Sequence, residues 1–127
     1  MSYSRLYLFS ILIAVMVTGI HAGAMEFYLY WRFPWFDSVV HLLGGVMIAF
    51  PAYLIASRRI APILSLASAV AATLFLGVAW EVFEYLEGLS VYETHFFADT
   101  AIDFSADIVG ALAGVFLARS LRRERQL

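Results

Sequence analysis

The chain has 127 residues, 63% of them hydrophobic and 14% charged, and its mean hydropathy is positive. That balance excludes an ordinary soluble domain and reads as an integral membrane protein. Cysteine is absent, which excludes disulfides, thiolate metal sites and cysteine nucleophiles, and the formal charge of −2 says less than where the charges sit.

Four apolar segments follow one another, at roughly 5–27, 36–57, 62–87 and 99–117. Each approaches the roughly 20 residues that a helix needs to cross about 30 Å of hydrocarbon. The expected fold is therefore all-α, a four-transmembrane-helix bundle making a single membrane domain over 1–127. The first segment lies between "MSYSR" and "AGA", a pattern shared with secretory signal peptides, and a retained helix is the expectation. Its Gly19 and Gly23 stand four apart, which suits close helix packing. His21 lies on a different face from Glu26 and reads as a packed or helix-bonded histidine. The link "YLYWRFPW" carries Trp31 and Trp35, which read as interface anchors.

On the second helix Asp37, His41, Gly44 or Gly45, and Ile48 share a face, and Pro51 is expected to kink the helix. After "RRIAP", the third helix aligns Gly77, Glu81, Glu84 and Gly88. In the link "GLSVYETHFFA", Glu93 reads as a surface acid, as does Glu87 before it. His95 reads as a solvated residue or a lid over the site. The fourth helix opens with Asp99, Asp103 and Asp107 and continues the same stripe with Gly110 and Gly114. From Arg119 onward, "RSLRRERQL" reads as a short charged tail.

Every basic residue is arginine. Arg5, Arg58, Arg59, Arg119, Arg122, Arg123 and Arg125 fall on one side of the expected bundle and Arg32 alone on the other. The positive-inside rule then places both termini in the cytoplasm of a cell (inner or plasma) membrane protein. The tail arginines read as this topology signal rather than as a headgroup site. Nucleic-acid binding has no support, because no soluble basic domain accompanies them.

With that orientation Glu26, Asp37, Glu81, Glu84 and Asp99 fall in the outer half, and His41, Asp103 and Asp107 continue the polar set inward. A charge in mid-membrane costs roughly 2.5–3.5 kcal/mol on insertion scales, so such residues mark sites or pathways. The faces that carry them also carry glycine, which lets helices approach closely, so they are expected to meet inside the bundle around a cavity open to the outside. Crowded carboxylates stay ionised only beside a cation; otherwise they share protons. For Asp37 and Asp99 the alternative is interfacial helix capping, and Glu84 points either to the site or to the interface.

The ordered motifs "WFDSVVHLLGG", "WEVFEYLEG" and "DTAIDFSADIVGALAG" resemble small bacterial and archaeal membrane proteins of the VanZ-like and YjdF-like families. The resemblance runs from about Phe36 to Leu117. It is closer to the YjdF-like type, because VanZ-like proteins tend to have Gln and Arg between the third and fourth helices and Asn near Asp107. It implies Asp37, His41, Glu81, Glu84, Asp99, Asp103 and Asp107 as the family-like positions and supplies no reaction.

Three functions fit these residues. The first is a metal-dependent hydrolase or lipid-modifying site, with His41, Glu81, Asp103 and a further acid as ligands and Glu84 with His41 as a candidate acid–base pair. Oxygen-rich ligands with one imidazole favour Mg²⁺, Mn²⁺ or Ca²⁺ over Fe or Zn²⁺. The second is cation or proton transport, against which stands the scarcity of inner polar residues, namely Ser10, Thr18, Ser65, Ser68 and Thr73. The third is an accessory or structural subunit. Membrane lipids are the expected surroundings, and a homo-oligomer or a larger membrane complex the expected assembly.

Overall fold

A computed structural model describes residues 1–86 and 96–123. Glu87, Gly88, Glu93, His95 and Arg125 lie outside the described residues. The helices are α1 (Tyr3–Glu26), α2 (Leu29–Arg32), α3 (Phe36–Ala56), α4 (Pro62–Leu86) and α5 (Phe96–Arg123). All but α2 are long and apolar enough to cross a membrane. At 21 residues, α3 extends about 31 Å, close to the thickness of the hydrocarbon core.

Helix boundaries follow from local chemistry. α1 begins at Tyr3, earlier than its apolar run, because the Ser2 side chain caps it by accepting from the Arg5 amide at 3.4 Å. The aromatic link folds into the short α2, which the sequence pattern did not reveal. Tyr28 turns the chain there in the left-handed conformation, with φ of 56°. α3 continues through Pro51. α5 is the largest correction. It starts ahead of Asp99 and runs on to Arg123, so Arg119 and Arg122 belong to a helix rather than to a tail.

Those arginines find partners that hydropathy does not register. Arg119 Nε donates to the Tyr53 hydroxyl at 3.0 Å, and Arg122 Nη1 donates to Ser57 Oγ at 3.0 Å. The Arg58 and Arg122 guanidinium groups both lie over the Tyr3 ring, and the Met1 amine donates to the Leu121 carbonyl at 2.7 Å. Residues near both ends of the chain thus meet at one end of the bundle, tying α1, α3 and α5 together.

α3 is the hub. It packs on α5 most extensively, then on α4 and α1. Inside lipid no hydrophobic force separates helix from solvent, so association depends on close packing. At Gly45 and Gly110 backbones touch. A Cβ on Gly110 would collide with the Leu42 carbonyl, and one on Gly45 would lie 2.5 Å from the Asp107 carbonyl. Leu6, Phe50, Leu54 and Ala111 belong to an apolar core toward the arginine end. By contrast, a Cβ on Gly19 or Gly23 meets nothing within 4 Å among the described residues, so these two show there none of the close packing that their spacing suggests.

Candidate functional site

The Gly45–Gly110 contact lies one turn from His41 on α3 and next to Asp107 on α5, so it brings these two side chains together. His41 Nδ1 and Asp107 Oδ1 are 3.2 Å apart, and His41 Nε2 lies 3.6 Å from Glu81 Oε1 on α4. His41, Glu81, Asp103 and Asp107 are all buried, at 8% exposure or less. Gly77 makes room for the Asp107 carboxylate, since a Cβ there would collide with its Oδ2.

Two hydroxyls complete the carboxylate shell. Ser38 Oγ donates to Asp103 Oδ1 at 2.9 Å, and Thr100 Oγ1 donates to Glu81 Oε2 at 3.0 Å. Sequence reasoning missed both. Ser38 follows Asp37 and Thr100 follows Asp99, so adjacency to an acid was the available signal, but hydroxyls are too common in helices for it to stand out.

Asp37, His41 and Asp103 each offer one donor atom, and the three atoms lie within 4.8 Å of one another, a spacing able to hold a metal ion. Around them three buried atoms have no hydrogen-bond partner among the described residues: His41 Nε2 and Glu81 Oε1, which face each other at 3.6 Å, and Asp107 Oδ2. Burying polar atoms unmatched costs about 1–3 kcal/mol each, more for charged groups, so this arrangement is costly unless a ligand satisfies it.

The remaining expected residues divide. Asp99 is half-buried in the first turn of α5. Glu84 accepts from Trp80 Nε1 at 2.9 Å. Glu26 is exposed, so it does not join the converging acids. His21 is a packed histidine, 2.6 Å by its Nδ1 from the Tyr30 hydroxyl and edge-on to Trp80. Burial, and then the Asp37 and Glu84 carboxylates, push the Tyr30 phenol well above its ordinary pKa, so it stays neutral. Trp31 and Trp35 are 60% and 62% exposed, as anchors would be.

Four apolar helices enclosing a buried histidine–carboxylate cluster define a multi-pass membrane protein. The chain belongs to the family described as "Predicted membrane protein (DUF2238)", whose model matches residues 3–124 and which includes the YjdF-like proteins. Neither the curated proteins nor the solved structures contain a match to it.

Proposed function

We propose that the protein binds a divalent cation through Asp37, His41 and Asp103, with Glu81 alongside, and uses it to activate water in a hydrolytic or lipid-modifying reaction. The observation that carries this reading is the donor set of half-buried Asp37 with buried His41 and Asp103, bordered by unmatched atoms on His41, Glu81 and Asp107. A cation held there would neutralise the crowded carboxylates, and the contact of Asp107 with Nδ1 would fix the His41 ring. Mostly oxygen donors with a single imidazole favour Mg²⁺, Mn²⁺ or Ca²⁺. The arginine asymmetry supports an extracytoplasmic position for the site, with both chain ends in the cytoplasm.

A proton or ion relay is less well supported. Ser10, Ser65, Ser68 and Thr73 on the inner half each donate to the carbonyl four residues earlier in the chain, at 2.8 to 3.0 Å. Their hydroxyl protons are committed there rather than aligned into a chain.

Elemental analysis of the detergent-purified protein, prepared with Mg²⁺, Mn²⁺ and Ca²⁺ supplied, tests the reading. Near-stoichiometric metal is expected in the wild type and little in Asp103→Asn or His41→Ala, with a lower melting temperature after chelation. Absence of bound metal together with melting indifferent to chelator would overturn it.

A further inference from the structure

On the other side of His41 lies a cleft of about 530 Å³, within the range of about 300–1,000 Å³ usual for ligand pockets. α1, α3 and α4 form its walls, and α1 and α4 scarcely touch each other among the described residues. Val17, Met47, Ile48, Leu76 and Phe83 give it an apolar lining, and His41 and Asp107 contribute its polar wall. Trp80 and His21 meet edge to face across the α1–α4 gap, with Tyr30 bonded to His21. Gly44 lines the cleft, and a Cβ added there meets nothing within 4 Å, so the space reaches the α3 backbone.

We propose that this cleft binds the hydrocarbon chain of a membrane lipid, entering sideways between α1 and α4, with the lipid's polar group against His41 and Asp107. Its walls belong to membrane-spanning helices, and their neighbouring faces, including Val15, Met16 and Val78, are exposed as lipid-facing surface is. An apolar space of this size holds water poorly, and hydrocarbon is the medium beside it. The polar wall distinguishes the cleft from a merely greasy groove. His41 serves both it and the donor set, so a chain lodged here presents its polar end to the cation. This last point, that the lipid is the substrate class, rests on the cation reading; binding of the chain does not.

Gly44→Leu tests the idea by filling the cleft while leaving every donor residue in the sequence. The full-length protein, wild type and variant, is placed in phosphatidylcholine vesicles containing a trace of phosphatidylcholine with a diazirine on its acyl chain. After illumination, labelling of Met47 in the cleft is compared by mass spectrometry with labelling of Phe116 on the exposed face of α5, which is 72% exposed. The expected result is strong Met47 labelling in the wild type and a fall of about tenfold in the Met47:Phe116 ratio in the variant, the size of loss that about 1.4 kcal/mol of affinity represents. Ala79→Phe, at another position on the wall, gives the same fall if Gly44→Leu folds poorly.

An unchanged ratio in a folded variant would overturn the proposal, as would Met47 labelled no more than background. So would crosslinking of Met47 to a second copy of the chain in place of lipid. Metal content is measured on the same samples. A ratio that falls in protein without metal leaves the chain site standing and removes the cation reading; metal retained with an unchanged ratio does the reverse.

Discussion

Gly44 and Gly45 are neighbours on α3 that face opposite situations. Gly45 is pressed against α5, where the Asp107 carbonyl and the Ala111 amide leave no room for a side chain, whereas Gly44 looks into open space toward α1 and α4. The α3–α5 seam is closed so tightly that it fixes His41 against Asp107; among the described residues the α1–α4 side is left open. One residue type thus does two jobs, and only what stands opposite tells them apart.

The sharpest way to break this contrast is at the seam. Gly110→Leu would drive a side chain into the Leu42 carbonyl, which belongs to a helix backbone and cannot swing aside. The expected loss is at or beyond the upper end of the about 1–3 kcal/mol typical of overpacking, read by reversible unfolding in detergent. An unshifted transition would mean that the helices do not touch there. His41→Ala should come next, because it takes the partner from Asp107 Oδ1 in a buried site at a cost of about 1–3 kcal/mol. A double-mutant cycle with Asp107→Ala should return a coupling of at least about 0.5 kcal/mol, and additivity would deny the pair.

Gentler changes sharpen the comparison. In Gly77→Ala the new methyl meets the end of the Asp107 side chain, which can turn, so a loss of about 1 kcal/mol is expected, together with weaker metal binding by titration. Arg119→Ala removes the bond to Tyr53, for about 0.5–1.5 kcal/mol in the same unfolding assay. Gly44→Ala should reverse the sign, stabilising the helix by roughly 0.5–1 kcal/mol with nothing for the methyl to strike. A destabilised Gly44→Ala would mean that the α1–α4 side is closed after all.

Much of this architecture is legible in the sequence because the bilayer demands long apolar helices, and because His41, Glu81, Asp103 and Asp107 recur in phase with glycine. Helical phase has limits, however. It cannot choose between Gly44 and Gly45, which differ by a single position and face different neighbours. It gives Gly19 and Gly23 the same weight as Gly110 and Gly114, although only the latter pair meets another helix in the described structure. Hydropathy ends the last helix at its arginines, since it cannot anticipate that Tyr53 and Ser57 would wait for them across the seam. Ser38 and Thr100 become informative only once the carboxylates opposite them are located.

The α3–α5 seam also has a mechanical side. It is fastened at one end by Ser38 on Asp103, in the middle by backbone against backbone at Gly45, Gly110 and Gly114, and at the other end by Arg119 on Tyr53. Two rods clamped at several points along a line behave as one splinted beam. A force on the arginine end, such as a change in bilayer thickness, is therefore carried along the pair as a whole, and the angle at which the buried acids face one another is held against it.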